Sequence, residues 1–404
     1  MKPAFLKLIL INIGVTLGLL FTLNLLAHIV MTLGEQTIRL MGWGGGIDAI
    51  NKDKAKARLP NYEGRYDEMF QHFRETTDVP LNYEPSIGWS RGEFSGETIM
   101  IDRAGNRVHQ PLETVAEDTP KVHIFGGSTV WGTGVVDNET LPAFYQNFAK
   151  IPVVNKGETA FISRQTLLSF VNLLSTGEEM NGVVFYDGVN DVQYGCRVEL
   201  EVNQHSRTQV FADRIQRGGI SASPSREFQR YLVALFWGGI QELTAEVADI
   251  IEDSRDRPTP DSSMVCDNDA DRAQRVAEAL IANWEIAHDL AEARGIEFMA
   301  VLQPVSFIGN PRLDHIQPTL DAELGKQYRA VYPRIQQLIE ERNYDWIQVY
   351  TPVLNDPDMY FYIDFCHVSG NGNQRIARRL YRDTLNHWEF LQNGAIATES
   401  QPEP

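Results

Sequence analysis

Val122-His-Ile-Phe-Gly-Gly-Ser-Thr-Val-Trp-Gly-Thr-Gly134 is a short apolar run that breaks at two glycines, presents a serine at 128 and restarts as helical sequence. Val122 to Phe125, His123 aside, has the apolar and β-branched character of a buried strand. Gly126 and Gly127 permit a sharp turn. Downstream, Asp137-Asn-Glu-Thr140-Leu-Pro-Ala-Phe-Tyr-Gln-Asn-Phe148 opens on acidic and cap-forming residues and continues with spaced apolar ones, as a helix does. A serine on such a strand-to-helix turn lies at the carboxyl edge of a sheet, where α/β folds hold their ligands. On this stretch alone, Ser128 is either a helix cap in a glycine-rich turn or a nucleophile.

From Lys121 onward the alternation of strand and helix is regular. Strands are expected at Val122–Phe125, Pro152–Asn155, Val183–Tyr186, Glu297–Leu302 and Trp346–Tyr350. Helices are expected at Leu141–Phe148, Gln165–Ser175, Ala273–Arg294 and Leu324–Arg342, with a last helix over Asn373–Leu391. Such βαβ alternation implies an α/β fold with a mostly parallel five-stranded sheet covered on both faces. Residues 193–268 interrupt the pattern as an insertion without a clear strand. Its apolar run Tyr231–Trp237 is too short to span a bilayer and is expected to pack on the domain or a subunit. Residues 36–120 read as a linker and extended segments packing beside the domain at 121–392, and 393–404 as a polar tail.

The 404 residues, 43% hydrophobic and 22% charged, suffice for one catalytic domain with appendages. A formal net charge of −18 argues against a nucleic-acid partner, which needs a basic face. From Leu8 to Leu33 no charged residue occurs, and a helical bilayer crossing needs about 20 residues. A cleavable signal peptide would have a shorter apolar core of roughly 7–15 residues and a small-residue cleavage site. Residues 1–35 are therefore expected to be an uncleaved transmembrane signal anchor, with Lys2 and Lys7 inside and the catalytic domain in the periplasm or at the cell surface. Homo-oligomer formation is compatible with the sequence. Cys196, Cys266 and Cys366 fit either redox compartment; a Cys196–Cys266 disulfide would leave Cys366 unpaired.

Three further clusters fall at strand-to-helix junctions in chain order. Asn155-Lys-Gly157 ends the second strand with a glycine whose N–H can approach a ligand closely. Tyr186-Asp-Gly-Val-Asn190-Asp191 follows the third strand and brings an amide side chain. Tyr362-Ile-Asp364-Phe-Cys-His367 places a carboxylate three residues before a histidine, ahead of the last helix. Each has a bland reading as a turn glycine, an Asx-turn or a helix cap. Their shared placement makes coincidence the poorer account.

On these blocks, Gly126-Gly-Ser128-Thr, Asn155-Lys-Gly157, Gly188-Val-Asn190-Asp191 and Asp364-Phe-Cys-His367, the chain resembles the SGNH hydrolase superfamily, also called GDSL-type esterases. The resemblance spans about residues 121–385 without the insertion. It departs at Gly127, where the family usually has aspartate, and at Ala160-Phe-Ile-Ser163, where a Gly-x-Ser pattern is usual. The resemblance implies a three-layer α/β/α flavodoxin-like fold and no metal or organic cofactor. Carried over by residue, Ser128 is the nucleophile, His367 the general base and Asp364 its orienting carboxylate. Ser128 N–H, Gly157 N–H and the Asn190 amide form the oxyanion hole. Trp131 and Tyr362 are candidates for substrate contact, since aromatic faces suit sugar rings and acyl chains. The expected activity is hydrolysis of an O-acyl ester, O-acetyl foremost, of a carbohydrate or lipid. O-acetyl transfer to an exopolysaccharide or envelope glycan, and a non-catalytic glycan-binding or scaffold protein, are the alternatives.

Overall fold

The computed structural model describes residues 11–12, 15–16, 18–26, 46–113, 115–116, 118–205 and 263–393. The chain divides into two compact units, Met1–Lys52 with Val210–Asp261, and Asp53–Gln209 with Ser262–Pro404. In the first, residues 18–26 are helical, and Leu19, Leu23 and Leu26 are exposed. Among the described residues no helix is long and apolar enough to cross a membrane. The expected anchor at 1–35 is described only in part, and the Tyr231–Trp237 run and the tail beyond 393 lie outside the described residues.

The second unit is built on five parallel strands, β5 (Val122–Gly126), β6 (Val153–Gly157), β7 (Gly182–Asp187), β8 (Glu297–Leu302) and β9 (Ile347–Val349), in spatial order β6-β5-β7-β8-β9. Every residue of β5 and β7 is buried, as the sheet is covered on both faces. On one face lie α4 (Ser163–Thr176), α6 (Ala270–Glu292) and α7 (Ala322–Arg342), which pack Leu167, Phe170, Leu280, Trp284 and Tyr328 against Phe125, Phe185 and Leu302. On the other, α3 (Leu141–Ala149) and α8 (Gly370–His387) pack Tyr145, Ile376 and Leu380 against Val122, Ile124 and Val184. Side chains cap these helices: Thr140 Oγ1 accepts from Ala143 N–H, and Asp269 and Asp321 start α6 and α7 in the same way.

The chain leaves β5 toward β6 on one side and returns to β7 on the other. The crevice at the carboxyl ends of β5 and β7 is thus the topological switch point, where open α/β sheets bind ligands. Ser128 follows β5 and Asn190 follows β7.

Two short helices at those strand ends are absent from the expected pattern: α2 (Ser128–Trp131) and α5 (Val189–Gly195). Each is too brief to show a helical period. The segment before residue 121 is part of the same unit from Asp53 onward. It forms α1 (Tyr66–Asp78) and two hairpins, β1 (Leu81–Glu84) with β2 (Gly88–Arg91), and β3 (Phe94–Ser95) with β4 (Met100–Ile101). Arg107 then bridges to Asn155 on the edge strand β6.

Cys196 and Cys266 form a disulfide with Cα atoms 5.2 Å apart, closing the base of the insertion. Arg197 and Met264 pair beside it. Cys366 is free and buried. Peptide mapping of the unreduced protein is expected to recover Cys196 linked to Cys266, with Cys366 alkylated only after unfolding.

Candidate active site

The catalytic-edge residues converge as follows. The Ser128 hydroxyl donates to His367 Nε2 at 2.7 Å. His367 Nδ1–H donates to Asp364 Oδ2 at 2.6 Å, the tautomer that an ionised carboxylate selects. Asp364 Oδ1 also accepts from the backbone N–H groups of Cys366 (2.9 Å) and His367 (2.7 Å). Burial alone would raise the Asp364 carboxyl, but the neighbouring His367 and these hydrogen bonds together hold it at about 2. It therefore remains charged through the range in which His367 must act. The segment carrying both residues is pinned by Ile363 N–H to His367 O and by Ser369 N–H to Phe361 O.

Asn190, the second residue of α5, donates through Nδ2 to Phe161 O at 2.8 Å. That amide crosses directly over residue 127: a Cβ there would stand 2.7 Å from Asn190 Nδ2. Gly127, with no side chain, is thus the residue that lets the amide reach the serine turn. The second amide proton of Asn190 and the Ser128 N–H have no partner among the described residues.

Gly157 is not placed as expected. Its N–H is donated to Asn155 Oδ1 at 2.9 Å, and it is buried at the end of β6, where an added Cβ would collide with the Trp131 backbone. Gly157 is there so that the strand and the helix carrying Ser128 can touch. The part of this loop that reaches the serine turn is Phe161, whose carbonyl oxygen would lie 3.5 Å from a Cβ at residue 127. Ala160 is held at φ +64, and its N–H has no partner among the described residues. Ser163, two residues past Phe161, ties the loop down by donating N–H (3.0 Å) and hydroxyl (2.5 Å) to Asp191 Oδ1.

Trp131 and Tyr362 are not placed at the substrate face either. Trp131 is 0% and Tyr362 1% exposed; both side chains are core. Trp131 packs with Val79, Ile99 and Ile101, and Tyr362 with the cluster under α3 and α8. Their position next to Ser128 and Asp364 in sequence carried no information about which way the side chain turns.

What the sequence reading missed is the brace around Trp131. The Arg107 and Arg91 guanidiniums lie over its ring at 4.6 and 5.1 Å. Arg107 donates to the carbonyls of Trp131, Gly132 and Val135, at 3.1, 2.6 and 2.6 Å, and pairs with Asp137 at 2.8 Å. Arg91 pairs with Glu158 at 3.0 Å and also donates to Thr159. Burial pushes the Glu158 carboxyl up, and Arg91 opposes it. Asn155 Nδ2 completes the brace by donating to Val130 O at 3.0 Å. The exit of the helix carrying Ser128 and the loop from Glu158 are thus held by Arg91, on the first hairpin, and Arg107, just after the second. Isolated arginines ahead of a domain give no periodic signal.

Beneath Asn190 lies a second carboxylate, Asp187, buried and hydrogen-bonded by Thr166 (2.9 Å) and Trp284 (3.2 Å). Burial, and then the nearby Asp191, push its carboxyl up to about 8.

Two outcomes are expected. Arg107→Met, which strands Asp137 and the helix-end carbonyls, should lower the unfolding free energy by about 3–5 kcal/mol in urea titrations. Because Asp187 keeps its proton in the folded state up to about pH 8 but ionises near 3.8 when unfolded, folding stability falls as pH rises across that window. Thermal melts of Asp187→Asn should accordingly gain on wild type from pH 4 to about pH 8. A pH-independent difference would mean that Asp187 is ionised in the folded protein.

No protein-family model and no curated protein matches the chain. Solved structures similar to it include a member of the lipolytic protein G-D-S-L family from Veillonella parvula, at 12% identity and TM-score 0.35, covering 66% of this chain and 97% of that one. A carbohydrate acetylesterase from Sinorhizobium meliloti is similar at 10% identity and TM-score 0.36, over 66% of this chain and 99% of that one. A catalytic mutant of an acetylxylan esterase from Geobacillus stearothermophilus is similar at 14% identity and TM-score 0.34, over 68% and 97%. These are likenesses only; the functional reading rests on the site itself.

Proposed function

We propose that the protein is a serine esterase of the SGNH type that hydrolyses an O-acyl ester, O-acetyl foremost, of a carbohydrate or lipid. The observation that carries the reading is the relay from Asp364 through His367 to Ser128, at 2.6 and 2.7 Å, on a strand-to-helix turn at the switch point of the sheet.

The chemistry follows from that relay. His367 Nε2 takes the Ser128 proton as Oγ attacks the acyl carbon, and the carbonyl π electrons move to oxygen. Ser128 N–H and the free Asn190 amide proton hold the resulting oxyanion. In this chain the Ala160 N–H takes the place that Gly157 was expected to fill. The tetrahedral species collapses, the bond to the leaving alkoxide breaks, and His367 returns the proton to it. Water then repeats the sequence on the acyl-serine, giving a carboxylic acid and free Ser128. Asp364 keeps the imidazole in the tautomer and orientation this requires and stabilises the imidazolium without taking its proton.

The Cys196–Cys266 disulfide supports an oxidising compartment for the domain. With the uncharged stretch Leu8–Leu33, it favours a membrane-anchored protein whose catalytic unit lies outside the cytoplasm.

Wild-type protein should hydrolyse p-nitrophenyl acetate and be labelled at Ser128 by a fluorophosphonate. Ser128→Ala and His367→Ala should each lose on the order of 10⁴-fold or more in kcat. Asn190→Ala should lose about 10²–10³-fold in kcat with little change in KM. Equal rates in wild type, Ser128→Ala and His367→Ala would refute the serine mechanism.

A further inference from the structure

The exposed face of α8 carries Arg375, Arg378, Arg379 and Arg382, successive at three, one and three residues and therefore aligned along one side of the helix. Opposite them runs the chain leaving β9, with Pro352, Val353 and Met359. Between the two lies a groove of about 580 Å³, with Phe361 beneath Arg375. It is separate from the triad and unused by the chemistry above.

The charge in this groove is not internally cancelled. Arg375 pairs with Asp356 at 2.8 Å and Arg379 with Asp383 at 2.7 Å. Arg378 and Arg382 are exposed and have no ion pair among the described residues; Arg378 only overlies the Phe148 ring at 5.4 Å. Two uncompensated guanidiniums one turn apart are unusual on a chain whose net charge is −18. Screening over about 8 Å at physiological salt lets this local field act on a ligand despite the acidic remainder.

Both walls of the groove are close in sequence to the relay. Phe361 and Met359 precede Asp364 by three and five residues, and α8 starts three residues after His367. From Asn371 to Arg382 the helix rises roughly 16 Å, at about 1.5 Å per residue. That length accommodates several sugar units, and one helical turn, about 5.4 Å, is comparable to the rise per unit of an extended hexose chain. Guanidiniums along one wall suit carboxylates, which they bind through paired N–H donors. Met359 and Val353 offer an apolar strip for the ring faces.

We infer that this groove is a binding subsite for a carboxylate-bearing polysaccharide, a uronate chain whose ester group lies over Ser128. The inference rests on the esterase reading for its substrate role, and names the substrate class within it. A surface groove of this length admits a single extended chain. A lipid surface would have to approach the acidic body as a whole, which favours the glycan.

The test uses the full-length protein in two arms. In the first, Ser128→Ala protein is titrated calorimetrically with oligogalacturonate, with neutral xylo-oligosaccharide and with phosphatidylglycerol vesicles. Saturable, salt-sensitive binding of oligogalacturonate is expected, reduced about tenfold or more when Arg378→Gln and Arg382→Gln are added. In the second, the Arg378→Gln/Arg382→Gln protein should lose a similar factor in kcat/KM on O-acetylated pectin and keep the wild-type rate on p-nitrophenyl acetate, which shows that it is folded. Unchanged oligogalacturonate affinity in the arginine variant, equal affinity for the neutral oligosaccharide, or binding to vesicles alone would overturn the assignment. A protein that cleaves no ester would overturn the esterase reading instead, and the binding arm would still decide the groove.

Discussion

The turn that carries Ser128 depends on one arrangement, the buried Trp131 indole with the guanidiniums of Arg107 and Arg91 both over its ring. The indole is 0% exposed and Arg107 2%. A buried guanidinium is tolerable only when nearly every donor is engaged, and Arg107 meets that condition by spending its N–H groups on carbonyls at the end of the serine-bearing helix and on Asp137. Because those carbonyls are fixed points for Arg107, the helix cannot slide without stranding the charge. The serine therefore inherits its position from a charge-burial requirement, and α2, a helix of four residues, would have little to hold it otherwise.

The loop supplying the opposite wall is restrained by the same logic with different atoms. Arg91 fixes Glu158 at its start, Ser163 and Asp191 fix its end, and Asn190 holds Phe161 between them. Asn283 donates to Ser163 Oγ at 2.8 Å and extends the network into α6. Oxyanion donors gain their value from being oriented before charge develops. Ala160 lies in this loop in a left-handed conformation, which costs a residue with a Cβ roughly 1 kcal/mol.

The parallel sheet and the order of the four blocks were legible because they depend on local pattern. Glu297–Leu302 is apolar enough to define a strand by itself, and its bounds agree with the structure. Ser128 and Asn190 directly follow strand ends, so knowing the strands located them, while Asp364 and His367 lie in the loop ahead of the last helix and were legible as a carboxylate three residues before a histidine. Gly157, Trp131 and Tyr362 misled for a common reason. Adjacency in sequence fixes where a backbone passes, whereas the direction of an N–H or a ring depends on partners such as Asn155 Oδ1 and Arg107, distant in sequence or unmarked by any period. The arginine brace was illegible on the same ground: its members are 24 to 68 residues from what they hold.

The brace also alters what counts as the heritable unit. By pattern the catalytic domain begins at Lys121, yet Arg91 and Arg107 lie before that point and the compact unit starts at Asp53. A gene rearrangement that joined the chain at residue 121 would carry every residue of the relay and leave Trp131 without either of its guanidiniums. Selection on such a recombinant would see an inert protein with an intact set of motifs. Arg91, Arg107, Trp131 and Glu158 thus form one mechanical unit with the serine turn, although none of the four belongs to the relay.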